Sequence, residues 1–433
     1  MTTTNIVIEK IIEIGPVIII PSILFLLGLV ATRNFLKNLL YCIYVFIGMF
    51  GIAIMLTLLI NFFTPLVETI VTASAKEFTV VDIGWVASGQ VILNSPINLY
   101  IVIALITVNL IMLLLRFTRT INIDLWNWWI LLMTGSIIFA ITEIQWLGVL
   151  IAIIIYTVTL VIGDIYAPSL ENYYGIAGVS NPQTQYVTWA PVTHLIDFVL
   201  NKIPGVRKVH VFYSEIQYKL GLFSEPLVMG FLLGFFIGII TRFKTLLIVP
   251  QQSLLFALGK GLELAIIMIL LPRFVNILYR GLSPAVNSII SFINRRITKR
   301  EVYLGMDAIM FAGYPSVVAL SIIVIPITVY IATVLPGNNI LPGSDLIIIP
   351  FILVWAIAPS RGDIFRSFIA AMVIVPLTLW IASDMGSLFT SFFARYNIEV
   401  AEGVKNISSY GGGSNWLFWI ILQIIKPILN LFA

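Results

Sequence analysis

The chain has 433 residues, of which 60% are hydrophobic and only 10% are charged, and its formal net charge is +4. Soluble domains carry about 25% charged residues, so this composition excludes a water-soluble globular protein and predicts a chain that lies in lipid. The basic residues fall in short clusters between apolar segments, which is typical of topology-setting loops and not of a nucleic-acid surface. The single cysteine, Cys42, lies in an apolar run, which excludes a disulfide framework.

Apolar segments that are long enough to cross a hydrocarbon layer of roughly 30 Å recur along the whole chain. They predict an all-α polytopic membrane protein with about 10–12 transmembrane helices. The segment 187–200 is shorter and stays ambiguous. The candidate spans are residues 15–31, 39–62, 97–115, 128–143, 147–165, 226–241, 253–271, 317–335, 346–358, 367–383 and 415–431.

Two segments, 81–96 and 305–316, are too polar for a lipid-facing helix and too apolar for an exposed loop. Each precedes a long apolar helix, so we predict two re-entrant hairpins that dip into the membrane. Residues 201–225 mix basic and apolar side chains, which indicates an amphipathic element on a membrane surface. The basic run from Arg295 to Arg300 predicts a cytoplasmic position for that segment.

The two halves of the chain resemble each other weakly. Gly28–Arg33 is similar to Gly238–Arg242, both hairpins carry an aspartate, and Asp124 is matched by Asp363. Residues 272–304 are rich in arginine and their counterpart 62–80 is not, so we predict inverted repeats, which transporters and channels share. The prediction is one membrane domain, residues 1–433. Its parts are repeat one at about 15–200, repeat two at about 222–400 and a C-terminal helix at about 415–431.

Aspartates at membrane depth are costly and therefore indicate function. Asp82 and Asp307 each lie in a candidate hairpin beside glycine, and a carboxylate that accepts hydrogen bonds from hydroxyls suits a polyol or sugar. The alternative is that both carboxylates cap hairpin helices. Trp85, which lies between Asp82 and Ser88, is a candidate for stacking on a sugar ring, although packing is its commoner role, and Ser88 is a further candidate for solute binding.

The loop from Asn181 to Tyr186 is dense in amide groups, which bind sugar hydroxyls if the loop enters the membrane and form a solvated turn if it does not. For Asp124 we favour a helix start. The two histidines fit no metal spacing, and no phosphate-binding loop or catalytic dyad is present. We therefore expect no metal, no cofactor and no catalytic residue on this chain.

Several segments together carry a family likeness. The chain resembles the membrane (EIIC) component of galactitol-type sugar phosphotransferase systems, within the ascorbate–galactitol superfamily, over most of its length. The segments are VVDIGW at 80–85, TRTINIDLWN at 118–127, IPGVRKV at 203–209, GLFSEP at 221–226, LLPRFVNILYRGLSP at 270–284, GMDAIMFAGYPSVV at 305–318, VLPGNNILPGSDL at 334–346 and RGDIFRS at 361–367.

This resemblance implies a homodimer in the cytoplasmic membrane, with a fixed part and a mobile core that carries a sugar or sugar alcohol by an elevator motion. It implies phosphorylation of the entering solute by a separate EIIB protein, supplied in turn by EIIA. It also implies a set of solute-binding residues, which are Asp82, Gly84, Trp85, Ser136, Gln183, Thr184, Asp307, Tyr314 and Ser316.

The sequence departs from the family pattern at three positions, which leaves other functions open. Members of the family carry histidines in three neighbourhoods where this chain has Phe139, Gln183 and Tyr314. A secondary transporter on the same fold, coupled to protons or facilitated, is therefore the first alternative to phosphorylation-coupled transport. A membrane-embedded enzyme or a passive channel is the second.

Overall fold

The computed structural model describes residues 16–74, 76–84, 88–89, 92, 95–122, 124–220, 225–295, 300–343, 345–396 and 405–430, and most of them are helical. The helices are α1 Pro16–Thr32, α2 Phe35–Ser74, α3 Asn98–Leu114, α4 Trp129–Thr142, α5 Gln145–Tyr174, α6 Thr184–Val187, α7 Ala190–Leu200, α8 Tyr213–Leu220, α9 Pro226–Thr241, α10 Phe243–Leu246, α11 Pro250–Ile293, α12 Ile309–Ala312, α13 Pro315–Val334, α14 Ile348–Ile357, α15 Ile364–Asp384, α16 Gly386–Ala394, α17 Tyr410–Gly413 and α18 Trp416–Asn430. Single 3₁₀ turns lie at Leu125–Trp128 and Val206–Lys208.

Every predicted span coincides with an apolar helix. Within the described residues, five helices, α2, α5, α11, α13 and α15, are long and apolar enough to cross a membrane, and six shorter apolar helices accompany them. The prediction of a polytopic helical membrane protein is thus confirmed. The ambiguous segment 187–200 forms α7, a short helix that exposes Leu195 and Phe198 and buries Thr193.

The helices α2 and α11 extend well beyond the predicted spans 39–62 and 253–271. At a rise of about 1.5 Å per residue, the 44 residues of α11 exceed what a bilayer requires. The extension is amphipathic, because Val275, Leu278 and Leu282 are buried while Arg273 and Arg280 are exposed. Tertiary packing of that apolar stripe continues the helix through charged residues that a hydropathy window excludes. Residues 296–299 of the predicted basic run lie outside the described residues.

The helices α1, α2, α9 and α11 pack together, and we name them the four-helix group. Glycines at every fourth position of α9 face α11. A Cβ at Gly234 would lie 2.4 Å from the carbonyl oxygen of Lys260, and one at Gly238 would lie 2.6 Å from Cα of Ala257. These two backbones therefore approach as closely as small-residue interfaces in membranes allow.

Six short strands, which the sequence did not predict, form two parallel three-stranded sheets. They are β1 Val80–Asp82, β2 Thr120–Asn122, β3 Val179–Ser180, β4 Tyr303–Gly305, β5 Ile340–Leu341 and β6 Asn406–Ser408. The first sheet has the order β5–β1–β6 and the second β2–β4–β3. Each sheet therefore places a central strand from one half of the chain between two strands from the other half.

The region 201–220, which connects the two halves of the chain, is hydrogen-bonded to the start of α15. The Ile364 N–H donates to the Val211 carbonyl at 2.7 Å, and His210 Nδ1 lies 2.9 Å from a carboxylate oxygen of Asp363. Asp363 also accepts from the N–H of Arg366 and so caps α15. The region 201–220 thus packs against the helices through its backbone while Lys202 and Lys208 stay exposed.

Candidate solute-binding site

The segments that follow strands of both sheets meet around one cavity of about 290 Å³. Trp126, Gln183 and Asp307 reach it from the second sheet, and Ile347 and Gly411 reach it from the first. The opposite wall is α2. The remaining lining residues are Ala53, Leu56, Thr57, Trp129, Ile130, Tyr186, Ile309, Ile348 and Phe351.

Asp307 is the one carboxylate among the described lining residues. Its side chain is half-buried, and its Oδ1 accepts from the Ile309 N–H at 2.9 Å. Within the described residues no protein donor reaches Oδ2. The group therefore keeps an acceptor for a solute hydroxyl while its other oxygen fixes its orientation.

Two further polar side chains line the same cavity. Gln183 caps α6, because its Oε1 accepts from the Gln185 N–H at 2.6 Å. The described residues give no protein partner to its Nε2 or to the hydroxyl of Tyr186. No lysine, arginine or histidine is among the described lining residues. The cavity thus offers hydrogen-bond donors and one negative charge.

Asp82 lies in a different environment. Its side chain is 8% exposed, and it does not line the cavity. Among the described residues, four backbone N–H groups donate to its two oxygens: Gly84 and Tyr410 to Oδ1, and Gly343 and Asp345 to Oδ2, at 2.9–3.1 Å. The carboxylate therefore joins its own strand to the ends of the neighbouring strands β5 and β6.

Asp124 and Asp345 hold the other loops in place. Asp124 starts the 3₁₀ turn at Leu125, as predicted, since Oδ1 accepts from the Trp126 N–H. Its Oδ2 accepts from the Asp307 N–H at 2.8 Å. Asp345 is fully buried, and one of its oxygens accepts from the Ser409 hydroxyl and the Gly411 N–H, both at 2.7 Å. Each carboxylate positions a segment that lines the cavity.

Gly84 and Ser88, two further candidates from the segment 81–96, are not among the described lining residues. Gly84 adopts φ = 78°, a left-handed conformation that favours glycine. Its N–H is one of the four that bind Asp82. Ser88 is fully buried. Trp85 lies outside the described residues.

Ser136 and Thr184 are buried in helix contacts. The Ser136 hydroxyl lies 3.1 Å from Oδ1 of Asn98, and the Thr184 hydroxyl lies 3.1 Å from that of Thr159. Neither residue is among the described lining residues, although Thr184 follows Gln183 directly. Both therefore support the helices around the cavity.

Tyr314 and Ser316 lie at the start of α13. The Tyr314 ring packs 5.4 Å from that of Tyr173, whose hydroxyl donates to Ser316 at 2.8 Å. This aromatic cluster lies outside the described lining of the cavity. Of the nine predicted residues that the structure describes, it brings Gln183 and Asp307 together in the cavity.

A metal site has no support within the described ranges, since no three histidine, cysteine, aspartate or glutamate side chains there lie together. Comparison with known proteins identifies the family. The chain matches EIIC-GAT, the sugar-specific permease component of the PTS system, over residues 10–403. The chain belongs to this permease family. It is accordingly an integral protein of the plasma membrane, as predicted.

Named relatives of this permease align over nearly its whole length. The galactitol-specific EIIC components of the PTS in Escherichia coli strains K12 and O157:H7 are each 30% identical over 425 residues, covering 97% of this chain and 91% of theirs. A putative permease IIC component of strain K12 is 27% identical over 426 residues, covering 96% and 93%. The predicted resemblance to the galactitol-type EIIC component is confirmed.

The permease's cavity has an aromatic wall that the sequence pattern did not predict. Trp126, Trp129 and Tyr186 line it, and the two tryptophan rings lie 5.8 Å apart. Tryptophans at a span end are commonly belt residues. The sequence signal that could have identified both tryptophans was their position close after Asp124, whose carboxylate accepts from the Asp307 N–H in the structure.

Proposed function

We propose that this permease carries a neutral sugar alcohol of the galactitol type across the cytoplasmic membrane and delivers it to a separate EIIB phosphocarrier. The observation that carries the proposal is the cavity in which Asp307 and Gln183 face aromatic side chains. Hydroxyl groups donate to a carboxylate and accept from an amide, and aromatic rings cover the C–H surface of a sugar. The galactitol-specific relatives support the same class of solute.

A neutral solute fits the charges of the site better than an anionic one. Asp307 carries the only formal charge among the described lining residues, and no described cation offsets it. An anion would have to enter a poorly solvated cavity against this carboxylate. A polyol meets no such repulsion.

The exchanged strands support inverted repeats with two re-entrant hairpins. The strands β1 and β4 correspond, since each is central in its sheet and follows a long helix of the four-helix group. Asp82 then corresponds to Asp307, and Asp124 to Asp345. This pairing replaces the weak match of Asp124 with Asp363, which caps α15.

The position of the cavity supports an elevator motion. Its lining comes from α2 on one side and from the segments that follow the two sheets on the other. The residues of α2 are Ala53, Leu56 and Thr57, so the charged and amide groups all lie on the sheet side. A displacement of the sheets and their helices along the four-helix group would carry the solute with its polar ligands. In each protomer of a homodimer, we expect the four-helix group to be the fixed part and the sheets with their helices to be the moving part.

Phosphorylation requires a partner. The only cysteine, Cys42, lies in α2 and is half-buried. A phosphocysteine donor on a separate EIIB, supplied by EIIA, therefore completes the proposal.

The test is uptake of labelled galactitol by proteoliposomes that contain the purified permease. Accumulation of galactitol phosphate that depends on phosphorylated EIIB is the expected result. Uptake of free galactitol at the same rate without EIIB would replace the proposal with a secondary transporter. Absence of galactitol binding to the purified protein would overturn the solute assignment.

A further inference from the structure

We propose that Trp129 is a solute-binding residue whose indole N–H donates a hydrogen bond to a hydroxyl oxygen of the solute. The inference rests on the proposed function and names a ligand that neither the family likeness nor the sequence pattern singled out. It starts from three observations on one side chain: its place in the cavity wall, its unpartnered nitrogen and the contact that fixes its ring.

Trp129 lines the cavity and is only 6% exposed. Its Nε1 is buried and has no hydrogen-bond partner among the residues that the structure describes. An indole nitrogen only donates, so nothing but an acceptor satisfies it. Buried donors without an acceptor are rare in proteins, and one that lines a ligand cavity calls for an explanation. A solute hydroxyl oxygen supplies that acceptor.

Gly89 packs against the six-membered ring of Trp129. A Cβ added at Gly89 would lie 2.5 Å from Cη2 and 2.8 Å from Cζ2 of Trp129. These atoms form the outer edge of the six-membered ring, so the glycine leaves space for a full indole and for little more. The first hairpin therefore contributes to the site by setting the position of Trp129.

The donor complements the groups across the cavity. Asp307 Oδ2, which has no protein donor among the described residues, can accept a hydrogen bond, whereas Trp129 Nε1 can donate one. A hydroxyl group both donates and accepts, so a polyol with several hydroxyls engages both sides at once. A solute that lacks hydroxyls satisfies neither, which makes this pair of residues selective for polyhydroxylated solutes.

The test is calorimetric titration of galactitol into the purified full-length permease and its variants. Trp129→Phe keeps an aromatic wall and removes the N–H, and we expect Kd to rise about three- to tenfold, the size of one neutral hydrogen bond. Trp189→Phe is the matched control. Trp189 is 2% exposed, its Nε1 is also unpartnered among the described residues, and it lies outside the described cavity lining. Its variant should bind as the wild type does.

Gly89→Ala supplies a second, independent variant. It should weaken binding when Trp129 is present and have little effect in the Trp129→Phe background, because phenylalanine lacks the outer ring atoms. Such coupling is not expected from a general loss of folding. If the wild type binds galactitol and Trp129→Phe binds it with the same affinity, the role of Trp129 is overturned. If the wild type fails to bind galactitol, the proposed function fails instead.

Discussion

Asp82 and Asp307 have similar neighbours in the sequence and different surroundings in the structure. Among the described residues, four backbone N–H groups donate to the carboxylate of Asp82, whereas one oxygen of Asp307, which lines the cavity, has no protein donor. The two alternatives posed for both residues, solute binding and capping, are therefore proposed to divide between them.

Asp307→Asn should weaken galactitol binding by roughly tenfold or more. The reason is the loss of a charge-assisted hydrogen bond to a solute hydroxyl, worth about 1.5–3 kcal/mol. Asparagine preserves the shape and still accepts from the Ile309 N–H, so the melting temperature should change little. Calorimetry and thermal unfolding on one preparation measure both quantities. Normal affinity with a lowered melting temperature would contradict the binding role.

Asp82→Asn should have the opposite profile. An amide offers a single acceptor oxygen, so the two N–H donors that face the amide nitrogen lose their acceptor. A buried donor left without an acceptor costs about 1–3 kcal/mol, so the free energy of unfolding should fall by about 2 kcal/mol or more. The same thermal assay measures it, with Asp307→Asn as the control. A stable variant that no longer binds galactitol would refute the anchoring role.

This division could not be read from the sequence. Both aspartates lie beside glycine in polar segments that are predicted to enter the membrane, and the sequence marks both as unusual. What separates them are partners distant along the chain, such as Tyr410 for Asp82 and Asp124 for Asp307. Asp345 was not singled out either, since it follows a proline–glycine loop that is typical of an ordinary turn.

At the scale of the elements, hydropathy was sufficient to find the apolar helices and insufficient to find their ends. The lipid-facing requirement acts on every residue of a span, so it is visible in any window of the sequence. The polar continuation of α11 and the strands of two or three residues depend on neighbours that no local window contains. Fold class was therefore predictable, and the two sheets were not.

The contact between α9 and α11 provides a test at this scale. Gly234→Leu should separate the two helices, because the new side chain would collide with the backbone at Lys260 and Gly261. We expect a markedly lower melting temperature and a loss of monodisperse protein in detergent chromatography. Gly259→Leu is the matched control on α11, since nothing lies within 4 Å of a Cβ there. Equal stability of the two variants would contradict the close helix contact.

For the whole molecule, the proposed inverted repeats predict on which side of the membrane corresponding residues lie. Glu77 and Glu301 are both exposed, and each lies a few residues before a central strand, β1 or β4. The repeats place them on opposite sides, with Glu301 in the cytoplasm beside the basic run. In a Cys42→Ser background, an impermeant maleimide should label Glu77→Cys in intact cells and Glu301→Cys only after permeabilisation. Labelling of both from outside would refute the inverted arrangement.

Because each sheet combines strands from both halves of the chain, the first sheet cannot be completed until the second half has been synthesised. The ribosome releases β1 with residue 82, but its partner β6 begins at residue 406. At about 5–20 residues per second, this strand waits roughly 15–65 s for its second neighbour. Until then its backbone groups lack their final partners inside or beside the bilayer, where an unpaired peptide group is costly. A prematurely terminated chain leaves that strand without its neighbours. We therefore expect quality-control proteases to degrade such a chain before it transports any solute.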